Sequence, residues 1–220
     1  MQIDVTGRTA LVTGSTQGIG AATAQEPART GARMAVHGRD EARVREATAR
    51  VGERGPEADL VATVTDEGAE RPAEALSDLD GQVSNLRDGG RSQYVASDSA
   101  VVIPAETIHY GTTKTSPLAV GRGFAEKAVG TGVTVNPVLA GPRHTGRVEG
   151  FVHEPVDRCL PWEEAQRAFT REYRPQSLLQ RLIEPDETAH TVVHLSSEQV
   201  SATTGGALRV DGVYVDAIVP

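Results

Sequence analysis

The 220-residue chain predicts an α/β fold: a doubly wound parallel sheet, three layers deep (α/β/α), truncated in its middle. Three observations predict it. Short β-branched runs alternate with helix-length segments, at a spacing that suits parallel strands covered on both faces. A glycine-rich turn joins the first run to the first helical segment. Only seven residues, 86–92, stand where a crossover between parallel neighbours needs about a dozen.

In order along the chain, "TALVT" (9–13) reads as a buried strand and "GIGAATAQEPART" as the helix after it. Pro27 inside that helix removes a hydrogen bond, so the helix should kink or end early; otherwise the cost is roughly 3 kcal/mol. "RMAVH" (33–37) is a second strand, and 40–51 an amphipathic helix with Asp40 as its N-cap. "DLVATV" (59–64) is a third strand, with a helix expected within 66–77. Strands are expected near 81–85 and 93–97, then a long helix from about 108 to 129 and the strand "GVTVNPV". The stretch 143–180 reads as irregular and polar. A helix with Pro185 near its start and the strand-turn "GALRVDG" complete the chain. With no linker, 1–220 reads as one domain.

Twenty-two Lys plus Arg against thirty Asp plus Glu give a net charge of -8, which argues against a nucleic-acid surface. No apolar run is long enough to span a membrane. The N-terminus lacks the basic and apolar regions of a secretion signal. Cys159 is the single cysteine and fits a reducing compartment, so a cytoplasmic location is expected.

Chemistry concentrates in two places. "VTGSTQGIG" sits where the first strand meets the first helix. Gly14, Gly18 and Gly20 make a tight turn and let the backbone approach a pyrophosphate, which the helix N-terminus favours electrostatically. Downstream, Ser97 precedes Tyr110 by thirteen residues and Lys114 follows it by four. The chain has four tyrosines and only two lysines, Lys114 and Lys127; chance would place a Lys at that spacing about 4% of the time. The spacing sets Tyr110 and Lys114 on one helix face. A free phenol holds its proton to about pH 10, and a neighbouring ammonium eases its loss. Tyr110 can then serve as acid and base at a carbonyl oxygen, with Ser97 donating a hydrogen bond to the same oxygen. His190 and His194 share a helix face, but no third metal ligand is evident, so they read as structural.

These motifs together resemble the short-chain dehydrogenase/reductase family, 3-oxoacyl-carrier-protein reductases in particular, over nearly the whole chain. "VNPVLAGP" (135–142) and "GGALRVDG" (205–212) are similar to further family segments. The resemblance implies a Rossmann sheet and hydride exchange between NADP(H) or NAD(H) and a small-molecule ketone or secondary alcohol. It implies a catalytic set of Ser97, Tyr110 and Lys114, with 143–180 on the substrate side. Cofactor contacts would come from Gly14, Ser15, Thr16, Gln17, Gly18, Ile19, Gly20, Asn85, Tyr110, Lys114 and Thr145. At the end of the second strand no acid stands at Gly38, and Arg39 can pair with a 2′-phosphate. NADP(H) is therefore expected over NAD(H). A homo-oligomer is expected too, with Leu118, Val120 and Phe124 in need of cover.

The chain also departs from the family. Thr63 stands for the aspartate near adenine, and "SNLR" (84–87) for Asn-Asn-Ala-Gly. Ala140 replaces the proline of a Pro-Gly pair. The helix that carries the family's catalytic asparagine is reduced to "DGGRS". The glycine turn and the Ser–Tyr–Lys set argue for a reductase. The losses argue for an impaired homologue that binds nucleotide or protein.

Overall fold

The computed structural model describes residues 3, 5–55, 60–64, 89–103, 105–144, 146–156 and 159–218. Thr9–Val12 (β1), Gly18–Arg29 (α1), Arg33–Gly38 (β2), Glu41–Arg54 (α2) and Leu60–Val64 (β3) form the first half. Arg91–Ser97 (β4), Ile108–Lys127 (α3) and Thr134–Ala140 (β5) begin the second. Gly146–His153 (α4), Trp162–Tyr173 (α5), Pro185–Leu195 (α6) and Leu208–Val210 (β6) complete it. Among the described residues the strands pair as β1-β2-β3 and β4-β5-β6, all in parallel. The fold is therefore the parallel-sheet, Rossmann-like α/β class. The helix expected within 66–77, the strand expected near 81–85 and most of the shortened crossover lie outside the described residues.

Strand β5 shows why the architecture has three layers. All seven of its residues are buried, and alternate side chains point to opposite faces. Val135 packs with Ala125 and Ala128, and Leu139 with Leu118, on the α3 side. Val138 packs with Val192 and Leu195 of α6 on the other. Each such side chain, fully withdrawn from water, contributes about 1.5–3 kcal/mol. In the first half, Met34 and Val36 of β2 meet Ala24 and Ala28 of α1 and Val44, Ala47 and Val51 of α2. Helices α1 and α6 pack on each other and join the halves, with an ion pair from Arg8 to Glu198 alongside and His190 Nε2 3.9 Å from the Glu26 carboxylate. His190 and His194 are exposed rather than core histidines.

Local signals explain the helix ends. Asp40 accepts the Arg43 N–H at 2.9 Å, which satisfies one of the unpaired donors at the start of α2. Pro27 sits in the last turn of α1, which ends two residues later at Arg29 with Thr30 as its cap. In α6, Pro185 occupies the first turn, where its missing N–H costs nothing, and Glu184 with Glu187 makes a capping box.

The expectation that 143–180 is irregular is corrected, because α4 and α5 both lie within it. Helix α5 buries Ala165, Gln166, Phe169 and Thr170 on one stripe. Half of that stripe is polar, so the apolar period is masked in the sequence. The polar members are bonded instead: Gln166 accepts the Leu182 N–H at 3.2 Å, and the Thr170 hydroxyl donates to the Gln166 carbonyl at 2.6 Å.

Arg181 grips both carboxylate oxygens of Glu187, at 2.7 and 2.8 Å. Those bonds hold the Glu187 carboxyl at about 2, helped by the Glu184 N–H and opposed by partial burial. A carboxyl depressed on folding stabilises the fold above its unfolded value of 4.5, and that contribution fades as pH falls through about 2. The pair is partly exposed, so its worth is discounted to about 1 kcal/mol or less. Urea unfolding at pH 6 and pH 3 should show a gap between the wild type and Glu187→Gln that narrows at the lower pH. An unchanged gap would mean the pair contributes no pH dependence.

Candidate functional site

The predicted site residues that the structure describes gather at or just beyond the carboxyl ends of the strands, where parallel α/β sheets hold their ligands. At the end of β1, Gly14 and Gly18 take left-handed backbone, with φ of +66° and +58°. A Cβ at either would meet nothing within 4 Å, so open space lies beside the turn. Gly20 differs: a Cβ there would sit 2.3 Å from the Gly14 carbonyl oxygen. Ser15 is fully buried. Its hydroxyl accepts the His37 N–H at 2.8 Å and its own N–H donates to the His37 carbonyl at 3.0 Å, which pins the turn to β2. Thr16, Gln17 and Ile19 complete the loop and the first turn of α1. These features fit a dinucleotide pyrophosphate.

At the end of β2, a Cβ on Gly38 would stand 2.6 Å from the Thr16 methyl. A side chain at this position would have to displace the methyl groups of Thr16 and Val44. Arg39, the next residue, is exposed, and its side chain has no hydrogen-bond or ion-pair partner among the described residues.

Strand β4 delivers Ser97 to its carboxyl end, and α3 delivers Tyr110 in its first turn. Helix and strand are drawn together at Gly111, where a Cβ would lie 2.6 Å from Ile103 and 3.0 Å from the Ser99 carbonyl. Thr115 adds a bond from its hydroxyl to the Ala100 carbonyl at 3.0 Å. Ser97 and Tyr110 consequently line one pocket of about 240 Å³. Lys114 sits one turn further on, its Nζ 5.5 Å from the centre of the Tyr110 ring. Asn85 and Thr145 lie outside the described residues.

The pocket is also lined by charged and aromatic residues to which the sequence reading gave no individual role: Asp98, Arg143, Arg174 and Tyr214. The Ser97 hydroxyl donates to Asp98 Oδ1 at 2.6 Å, and the Ser99 N–H donates to the same oxygen at 2.7 Å. Burial pushes the Asp98 carboxyl up, while the Ser97 and Ser99 bonds and the charge of Arg174 pull it down. Arg174 stands over the rings of Tyr214 and Phe169, at 4.9 and 5.9 Å. Asp98 adjoins Ser97, and that adjacency is the one signal the sequence offered. Arg174 and Tyr214 belong to segments without a readable pattern. On helix α3, Val120 and Phe124 are exposed, whereas Leu118 packs against the core around Leu139.

A parallel sheet with a glycine turn after its first strand and a Ser–Tyr–Lys set beside a pocket defines the class: a dinucleotide-binding oxidoreductase. Comparison with known proteins names the family. Residues 8–85 match the family model for short chain dehydrogenases, and residues 81–214 match the one described as enoyl-(acyl carrier protein) reductase. The uncharacterised oxidoreductase YvaG of Bacillus subtilis is 34% identical over 264 aligned positions, which cover 99% of this chain and all of that one. A second oxidoreductase of that organism, YvrD, is 29% identical over 268 positions, covering 99% of this chain and 100% of its own. Among solved structures, L-sorbose reductase of Gluconobacter frateurii, complexed with NADPH and L-sorbose, superposes with a TM-score of 0.87 at 21% identity, over 99% of this chain and 100% of that one. The chain belongs to the short-chain dehydrogenase/reductase family. Its alignment with YvaG is longer than its own 220 residues, so the relative carries internal sequence that this chain lacks.

Proposed function

We propose that the protein is an NADP(H)-dependent reductase that interconverts a ketone and a secondary alcohol, with Tyr110 as acid and base. One observation carries the reading: Ser97 and Tyr110 face the same pocket, with Lys114 beside the Tyr110 ring. The cofactor, when bound, supplies the hydride. The turn from Gly14 to Gly20 and the N-terminus of α1 hold its pyrophosphate, and Arg39 takes a 2′-phosphate. Tyr110 gives its proton to the carbonyl oxygen as that oxygen gains charge, and takes it back in the reverse direction. Lys114 stabilises the phenolate left behind and binds the cofactor ribose. Ser97 orients the carbonyl oxygen, which requires its hydroxyl to turn from Asp98 towards the substrate. The segment 143–180 supplies Arg143 and Arg174 to the pocket wall, which supports reading it as the substrate-side segment.

A second reading is favoured by the internal sequence missing relative to YvaG: a homologue that binds nucleotide but turns over poorly. NADPH binding followed by NADPH oxidation with a panel of ketones separates the two. Binding with turnover supports the first reading, binding without turnover the second. Absence of both would remove the nucleotide from either.

Cofactor preference has its own expected result. Arg39→Ala should raise the NADPH Kd by about 10- to 100-fold, the worth of one or two charge-assisted bonds to phosphate, and leave NADH within about threefold. Titration of both cofactors by fluorescence checks it. Equal losses would remove Arg39 from the site.

A further inference from the structure

The pocket holding Ser97 and Tyr110 carries more positive charge than proton transfer needs. Arg143 and Arg174 both line it, and among the described residues Asp98 is the single acid of its wall. Among the described residues no carboxylate lies within ion-pair distance of Arg174. Its only side-chain hydrogen bond runs from Nη1 to the neighbouring Tyr173 carbonyl, at 2.6 Å. Its Nε is buried with no partner, and an unmet buried donor is costly to keep. Asp98 feels the charge of Arg174, but the acceptor oxygen of its bonds is turned to Ser97 and Ser99. The guanidinium is also held still. Rings of Tyr214 and Phe169 lie against it, so little side-chain freedom is lost when it meets a ligand. A fixed planar donor fork in this pocket, bonded among the described residues at Nη1 alone, is matched by a carboxylate.

We propose that Arg174 is a specificity residue for an anionic substrate: the ketone reduced here carries a carboxylate, which pairs with the free edge of the Arg174 guanidinium while its carbonyl faces Ser97 and Tyr110. The inference deepens the reductase reading above and rests on it for the position of the carbonyl. A pocket of about 240 Å³ has room for a small oxo acid. Arg143, which has no ion-pair partner among the described residues, adds to the attraction.

The test compares pyruvate, acetoacetate and levulinate with their methyl esters as substrates for NADPH oxidation, in wild type, Arg174→Gln and Arg174→Lys. For the best acid, wild type should show kcat/KM about 100-fold or more above its ester, the scale of one buried bidentate ion pair. Arg174→Gln should lower the acid about 100-fold and move the ester by less than threefold; Arg174→Lys should recover part of the loss. Esters reduced as well as acids by wild type, or equal losses for both in Arg174→Gln, would overturn the proposal; the second result would make Arg174 a support for Asp98 alone. Calorimetric binding of the same acids and esters to the protein with NADP+ separates the two hypotheses. If no ketone turns over, the reductase reading fails. Tighter binding of an acid than of its ester, abolished in Arg174→Gln, would still uphold the anion site, and equal binding would end it.

Discussion

Replacing Tyr110 by Phe should lower NADPH-dependent ketone reduction by about 100- to 10,000-fold, the range that a positioned acid contributes, with the fold unchanged. The reason is local. In the Ser–Tyr–Lys set, Tyr110 is the proposed proton donor to the carbonyl oxygen, and Ser97 has its hydroxyl proton engaged by Asp98. The ring itself stays in place, because Phe keeps the stack of carbons that Lys114 approaches. Circular dichroism should therefore stay near wild type, and NADPH affinity should fall far less than kcat. Retained turnover in Tyr110→Phe would mean that the proton comes from another group, and Asp98, whose carboxyl burial pushes up, would be the first to test.

Gly20→Ala should do the opposite: spare the catalytic set and remove the cofactor. A methyl at position 20 would lie 2.3 Å from the Gly14 carbonyl oxygen and 3.1 Å from the Ser15 Cα. Both are backbone atoms, so neither can yield by changing a rotamer. The turn has to open, and Ser15, bonded to His37 on both sides, resists that. Overpacking of this kind costs about 1–3 kcal/mol, and the displaced N–H groups are those proposed to hold the pyrophosphate. Expected are a lower melting temperature and loss of measurable NADPH binding. Gly18→Ala separates packing from binding: its Cβ meets no protein atom within 4 Å, so the melting temperature should fall only by the strain of φ +58°, while the methyl enters the space proposed for the pyrophosphate and NADPH affinity falls. Normal NADPH affinity in Gly20→Ala would separate the turn from cofactor binding.

The sequence exposed those features whose physics is local. Glycines at a strand–helix junction, an aspartate before an amphipathic run and a lysine four residues after a tyrosine each act over one turn of chain. Strands β1, β2 and β5 were visible because buried parallel strands are runs of apolar and β-branched residues. Helix α5 was hidden for a matching reason: Gln166 and Thr170 are buried through bonds that only the fold supplies. The pocket's far wall was illegible too. Arg174 shares a pocket with Asp98, 76 positions away in the chain, and neither residue type, spacing nor period announces a neighbourhood made by folding. Arg39 stood out because the neighbouring position lacks an acid. The structure adds that the methyl of Thr16 crowds the place of a Cβ at Gly38.

The pairing of α1 with α6 has a thermodynamic consequence. Among the described residues, the half with the glycine turn meets the half with Tyr110 chiefly through that helix pair and the Arg8–Glu198 ion pair. A cofactor that touches both halves acts as a cross-brace between them. Ligand bound only to the assembled state raises its stability by about 1.4 kcal/mol for each tenfold excess over Kd. For this chain, occupancy and integrity would rise together: the saturated protein would unfold as one unit, and the half bearing Ser97 and Tyr110 would inherit rigidity from a ligand gripped mainly by the other.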